Sequence, residues 1–565
     1  MKYLLIFVAL AFAFSACSEK QTEVKLTEAD FIKLADSVEN QMRTLSVPLY
    51  TAYFDASINS NDENWKKVSE LEMKYNALIS TPAIYNDFKA FKDQNVVSDP
   101  IQKRRLDVLF NEFLSKQADI NLLNEISKLT SEIEGKYSKF RANYNNKDYS
   151  DNDIEETLKN SVKQDELKGV WEAHKNIGPV VKDDIINIVK KRNEVAKKLG
   201  FNNYHEMSLQ LSFQDPKQIE TLFDELDVLT RDEFAKLKTE IDTKLAEKNK
   251  IKVEELMPWH YQNRFFQEAP QIWEVDFDKY YKGKDIVKLS SDYYKSLNLP
   301  IDRIVANSDL FEKPNKNQHA YCINIDRTTK DIRVLCNIKD NSRWMETQLH
   351  EYGHALYEDY YEESLPWILK VPAHIFTTEA IAMIMGRFAV KPEWMVAMKV
   401  IDEKEGKKIA ETAFKVLKTQ QLVFSRWAQV MYRFEKSMYA DPDQDLNKLW
   451  WDLVEKYQMV KKPADRNMPD WATKIHIATS PCYYHNYLLG ELLASQLYNH
   501  ITTKVIDPNS PNLHSFYNEP KVGEYFMKNV FNPGAKYEWN DMIEKATGEK
   551  LTPKHYANQF INNQK

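Results

Sequence analysis

The sequence predicts a mainly α-helical protein, and two observations carry that prediction. Only 12 of its 565 residues are glycine, and Lys, Glu, Leu and Ala dominate long stretches with few turn signals. Within those stretches the apolar residues recur at helical spacing. The chain is long for one compact core, so several domains or one large two-lobed domain are expected. A net charge of -7 arises from interspersed charges of both signs, the pattern of a solvated helical surface, with no basic footprint for nucleic acid. No Gly-rich phosphate loop occurs, which argues against a nucleotide cofactor.

At the N-terminus Lys2 precedes an apolar run over 3–14 that is too short to span a bilayer and has the layout of a secretory signal. Phe14-Ser15-Ala16-Cys17-Ser18 resembles the lipobox of bacterial lipoproteins, in which the cysteine becomes the lipidated first residue. Phe14 stands where Leu is usual, and simple secretion is the alternative. Residues 1–16 therefore read as a signal peptide and 17–26 as a lipidated tether. The expectation is an exported protein, lipid-anchored to a bacterial membrane and facing the periplasm or the cell surface.

Thr27 and Asp30 form a capping-box-like start, after which Phe31, Leu34, Val38 and Met42 recur at helical spacing. Further helices are expected over 64–78, 101–116, 122–144, 154–176 and 180–199, the last stopped by Gly200. A strongly charged helix is expected over 216–249. Then Leu256-Met257-Pro258-Trp259-His260-Tyr261-Gln262 changes character, either as an aromatic core turn or as part of a site. Segments 320–325 and 332–335 read as two strands joined by a turn at 326–330, a small sheet just before the metal motif. In an oxidising compartment Cys322 and Cys336 are the expected disulfide partners, leaving Cys482 free; three unpaired buried thiols are the alternative.

The chemistry centres on His350-Glu351-Tyr352-Gly353-His354, in an apolar frame over 344–357. On a helix the two histidines project from one face one turn apart, near enough to share a metal ion, with Glu351 beside them. Two histidines satisfied within a core are the bland alternative. Catalytic zinc takes three protein ligands, and Glu379, a lone carboxylate at the front of the apolar helix over 378–385, is the favoured third. Glu358 and Glu362 are rivals in a charged run that reads as solvated. Zinc is inferred from ligand type, since two His and one Glu also suit cobalt or manganese. The run from Lys474 to Tyr487 clusters His476, Tyr483, Tyr484, His485 and Tyr487 before a helix over 488–497. That is a packing pattern or, given a metal site, a source of neutral donors for an oxyanion.

These motifs together resemble the angiotensin-converting-enzyme family of peptidyl-dipeptidases. The resemblance extends to Ala-Tyr-Phe-Asp-Ala-Ser-Ile-Asn at 52–59, the helices over 167–199 with Trp171, Phe-Glu-Lys-Pro at 311–314, and the run from Val522 to Gly548. It implies a two-lobed helical metallopeptidase with a deep central cleft and a small β-sheet near the zinc site, residues 27–565 forming one catalytic domain of two helical subdomains. It implies one zinc ion held by His350, His354 and Glu379, with Glu351 as general base. His476 and Tyr487 are similar to the pair that stabilises the tetrahedral intermediate. Gln262, Lys474 and Tyr484 are similar to the trio that holds the free C-terminal carboxylate, which would make the enzyme release dipeptides from oligopeptides. Cys322 and Cys336 resemble one of the family's disulfides.

Four departures modify those expectations. The spacing from His476 needs one inserted residue, so Tyr483 rivals Tyr484. Ile323 stands where the family places a substrate-touching His. Asn486 stands where the animal enzymes carry a chloride-binding Arg, so chloride activation is expected to be weak or absent. Met383 replaces an Asp that orients a zinc histidine, which requires another partner. Two other functions compete: a thimet-type zinc oligopeptidase, which would cut without needing a free terminus, and a surface peptide-binding protein with a vestigial site.

Overall fold

The computed structural model describes residues 26–561. The signal peptide, Cys17 and all but the last residue of the tether lie outside the described residues. Among those described, no helix is long and apolar enough to cross a membrane.

The architecture is mainly α-helical, with two small antiparallel hairpins. The first helix, Glu28–Ile58, opens on a capping box in which Thr27 and Asp30 each accept the other's backbone N–H. Its Phe31, Val38 and Met42 are fully buried against Phe88, Phe91 and Phe113. Two expected helices end early. Helix Ile120–Lys139 gives way to β1 (Ala142–Tyr144), which pairs with β2 (Lys147–Tyr149) across Asn145 and Asn146. Both asparagines have positive φ, 52° and 59°, as a tight two-residue hairpin turn demands. The helix expected over 154–176 breaks into Asp151–Asn160 and Gln164–Lys175, because Ser161 turns extended. Helix Ile177–Lys198 stops before Gly200, whose φ of 92° is the left-handed geometry of a helix end. Helices Pro216–Asn249 and Glu403–Ala440 are the longest, and both bury a face in the largest apolar cluster, which reaches to Phe560.

The second hairpin, β3 (Tyr321–Asp326) with β4 (Asp331–Leu335), sits where the sequence placed it. Its register corrects the expected disulfide. Cys322 faces Val334, and Cys336 follows one residue past the end of β4. The two cysteines are therefore diagonal, about 7–8 Å apart for such neighbours, whereas a disulfide holds Cβ atoms about 3.5–4.5 Å apart. Both are free thiols, as is Cys482.

The hairpin packs on the helix that carries the metal motif, Ser342–Asp359. That metal helix is capped by Asn341, which accepts from Trp344 N–H, and by Asp278, which accepts from Ser342 N–H. It buries Met345, Leu349, Tyr352, Ala355 and Leu356, each large apolar side chain contributing about 1.5–3 kcal/mol. A second helix, Ile375–Arg387, packs along it. The contact closes at Gly353, where an added Cβ would lie 2.9 Å from the Ala382 Cα. A third helix, His485–His500, packs on the second. At Gly490 an added Cβ would lie 3.1 Å from the Glu379 Cβ and 3.2 Å from the Met383 sulfur.

Candidate metal centre and substrate site

Because Gly353 admits the backbone of the second helix, Glu379 reaches the histidine face of the metal helix. The Nε2 atoms of His350 and His354 stand 3.2 Å apart. Glu379 Oε2 lies 3.7 Å from the first and 3.8 Å from the second. His354 is fixed on its other nitrogen, since Nδ1 lies 2.8 Å from the Thr378 hydroxyl and leaves Nε2 facing the cluster. Thr378 thus acts where Met383 leaves an Asp missing, a partner the sequence reading did not name.

The donor set fits zinc. For three atoms at these separations one point lies about 2.1 Å from all of them, which is the zinc bond length to His nitrogen and carboxylate oxygen. With three protein donors, a fourth position stays open for water or substrate. The cluster opens on a cavity of about 480 Å³ that is also lined by Glu351, Tyr487 and, from β3, Cys322 and Asn324. Glu358 lines it too and accepts from Asn324 Nδ2 at 2.9 Å. Glu358 is therefore a half-buried wall of the cavity and not the solvated residue its charged run suggested; Glu362 is exposed. Ile323, between Cys322 and Asn324, packs toward Phe54 and Leu335 and does not line the cavity.

Glu351 is buried, and burial followed by the nearby Glu379 charge pushes its carboxyl up to about 8. Burial likewise lifts Glu379 to about 7 and lowers His350 to about 4. A bound dication reverses this local logic, favouring carboxylate and neutral imidazole alike.

A chain of aromatic rings leads away from the metal. Tyr487 contacts Tyr484 with ring centres 5.4 Å apart, and Tyr484 contacts His476 at 5.3 Å. His476 does not line the metal cavity, and its buried Nδ1 has no partner among the described residues. Burial, with the charge of Lys474, lowers His476 to about 4, so it is a neutral donor at neutral pH. Burial and Glu379 raise the Tyr487 hydroxyl, which stays protonated.

Tyr484 stands beside Lys474, whose ammonium lies 5.3 Å from its ring centre. The Tyr484 hydroxyl accepts from Trp427 Nε1 at 2.8 Å. Tyr483 instead packs on Tyr487 and feels the Glu379 charge, on the metal side. Lys474 is buried, donates to Gln267 Oε1 at 2.6 Å and joins no ion pair within 4 Å among the described residues. Burial lowers it to about 8. Gln262 does not touch this pair directly. It holds a left-handed backbone, φ 59°, which costs a non-glycine residue about 1–2 kcal/mol. Its Oε1 accepts from Gln271 N–H, and its buried Nε2 has no partner among the described residues. Around it the segment is an aromatic core turn, with Trp259 against Trp171 and Tyr261 donating to Asp242. Gln262 lines a cavity of about 520 Å³ with Glu268 and Gln271. The Glu268 charge reaches both Lys474 and Tyr484, which makes it a further site residue that the sequence reading passed over. Asn486, at the position expected for chloride, is buried and accepts from Gln214 Nε2 at 2.9 Å.

Two imidazoles one helical turn apart, a carboxylate from the next helix and a glutamate beside the first histidine define a metallopeptidase centre suited to zinc. The chain belongs to the angiotensin-converting-enzyme family of metallopeptidases, whose family model matches residues 25–555. No curated protein matches the chain.

Proposed function

We propose that the protein is a zinc-dependent peptidyl-dipeptidase that hydrolyses the penultimate peptide bond of oligopeptides and releases C-terminal dipeptides. The observation that carries the dipeptide specificity is Lys474. A buried ammonium with no ion-pair partner within 4 Å is costly; one amide oxygen and the rings of Phe265, Trp427 and Tyr484 stand against it, while Glu268 and Glu155 act on it from farther off. A substrate carboxylate is the natural missing partner, with Tyr484 and the unpaired Gln262 Nε2 as neutral donors beside it. A receptor for the free C-terminus set apart from the metal fixes which bond is cut.

His350, His354 and Glu379 would hold the zinc ion. When bound, zinc would polarise the scissile carbonyl and acidify water. Glu351 takes the proton from the attacking water and delivers it to the leaving amine. Tyr487, neutral and lining the metal cavity, donates to the oxygen on which negative charge develops, and neutral His476, which stands behind Tyr484 in the free protein, would have to move inward to join it. The body over 27–565 acts as one catalytic domain of two helical subdomains around a central cleft. Its place is outside the cytoplasm, tethered through lipid on Cys17. A Cys17→Ser protein is expected in the soluble fraction; one that stays with the membrane argues against the lipid anchor.

The decisive experiment follows products from one oligopeptide with a free or an amidated C-terminus, with and without a chelator. Chelator-sensitive dipeptide release that needs the free carboxylate is expected. Release unaffected by amidation would favour the thimet-type reading, and no chelator-sensitive cleavage would favour a peptide-binding protein.

A further inference from the structure

Glu346 lies one turn before His350 on the metal helix, so the two share a face. Their stems both border Gly386 of the second helix, where an added Cβ would meet Glu346 Cγ at 3.4 Å and His350 Cβ at 3.5 Å. The neighbours Met345 and Leu349 are buried, whereas Glu346 is reached by solvent. Among the described residues its carboxylate accepts no hydrogen bond and joins no ion pair within 4 Å. The charges of Arg343 and Arg387 act on it only from a distance, and Arg387 is already paired with Glu491.

The direction of this face is given by its ends. Ser342, one turn earlier still, lines a cavity of about 790 Å³ together with Glu268, Gln271 and Thr419. Glu268 and Gln271 also line the cavity of Gln262. The strip 342-346-350 therefore runs from the metal ligands toward Glu268 and Gln271, beside which the proposed carboxylate receptor would hold the free terminus. The β3 residues Cys322 and Asn324 wall the metal cavity from elsewhere. The larger cavity has no Lys or Arg in its lining, but it carries four carboxylates, Glu268, Glu274, Asp276 and Asp278. None of the four joins an ion pair within 4 Å among the described residues.

We propose that Glu346 selects a cationic side chain, Lys or Arg, in one of the two residues of the departing dipeptide. The inference rests on the peptidyl-dipeptidase reading, because that reading places the leaving dipeptide between the metal and Lys474. A solvent-reached, unpartnered carboxylate on the helix face between Ser342 and His350, which line the two cavities, gives an ammonium or guanidinium a charge-assisted partner and gives an apolar side chain none. The neighbouring carboxylates add a field of the same sign. Although solvent reaches its tip, the protein atoms crowded around the Glu346 carboxyl raise it by desolvation, and a substrate cation would hold it ionised.

The test uses zinc-loaded full-length enzyme and one parent oligopeptide carrying Lys, norleucine or Glu at each of its two last positions. Dipeptide release gives kcat/KM; binding of the same peptides to the Glu351→Gln protein gives Kd without turnover. The expected result is a preference for Lys over norleucine of about tenfold at one position, a ratio near one in Glu346→Gln, partial retention in Glu346→Asp, and a preference for Glu in Glu346→Lys. Equal values for Lys and norleucine at both positions, or a preference that survives Glu346→Gln, would overturn the proposal. If no peptide yields a dipeptide while binding still follows Glu346, the hydrolytic reading fails and the selector stands. If dipeptides are released without regard to charge, the selector fails and the hydrolytic reading stands.

Discussion

At the metal end of the site, His350, His354 and Glu379 come from two consecutive helices locked together at Gly353, and every donor has a fixed backbone behind it. At the carboxylate end, Gln262, Lys474 and Tyr484 come from a strained turn, an irregular segment and the start of a helix, joined through Gln267, Glu268 and Trp427. Rigid helices suit a metal, whose ligands must converge within a few tenths of an ångström. The proposed carboxylate end instead holds an ammonium with a hydrogen bond to Gln267 but no ion pair within 4 Å, and an amide nitrogen without a partner, both among the described residues. On the proposed reading, one end is finished without substrate and the other by it.

The largest expected effect lies at the metal end. Glu351→Gln removes the proton acceptor without removing a metal donor, so kcat should fall by about 10²–10⁴-fold while bound zinc, counted by elemental analysis, stays near one per chain. Hydrolysis retained in that variant would sink the mechanism. At the other end Lys474→Met should lower kcat/KM for free-carboxylate peptides by about 10–100-fold, the worth of a hydrogen-bonded charge. It should leave amidated peptides unaffected. Because the substitution also removes a buried unpaired charge, thermal unfolding should show no loss of stability. A variant that is both inactive and unstable would mean Lys474 is a structural residue.

The same contrast explains what could be read from the sequence. The helical class, the long helix Pro216–Asn249 and the hairpin at β3 and β4 follow from spacing that is local in the chain. So does the histidine pair, because four residues of helix carry it from one ring to the other. Glu379 was the favoured third ligand for its chemistry, a lone carboxylate on an apolar helix, and it stands nearest both rings. The β1 and β2 hairpin was swallowed by an expected helix, although Asn145-Asn146 is a turn signal in its own right. Thr378 and Glu268 were missed because their roles depend on which helix or loop lies opposite, and sequence spacing carries no such information. The expected disulfide failed for a related reason, since one step of register decides whether two cysteines face each other.

Between the two ends in expected size is the orienting hydroxyl. Thr378→Val keeps the shape of the side chain but frees His354 Nδ1, and loss of such a partner typically costs about 10–100-fold in metal affinity. Competition with a chelator at fixed free zinc measures it. An unchanged affinity would mean that packing alone orients His354, and the metal end would then be less dependent on hydrogen bonding than its geometry suggests.

The smallest effect is a pH dependence, and it separates the ends most cleanly. Burial lowers Lys474 from the usual 10.5 to about 8, so its charge is present below that pH and lost above it. For peptides with a free C-terminus kcat/KM should halve near pH 8 and keep falling; for amidated peptides Lys474 contributes no such fall. Stability moves the other way. Between about 8 and 10.5 the unfolded chain holds a proton on this lysine that the folded chain has released, so unfolding becomes less favourable as pH rises. The cost of burying the ammonium is thus present below about 8 and relieved above it, while carboxylate binding is present below and lost above. Denaturant unfolding of parent and Lys474→Met proteins across this range isolates the lysine's share. If the parent loses stability relative to the variant as pH rises through 8, Lys474 is paired in the free protein, and the idea of a receptor left open for substrate is wrong.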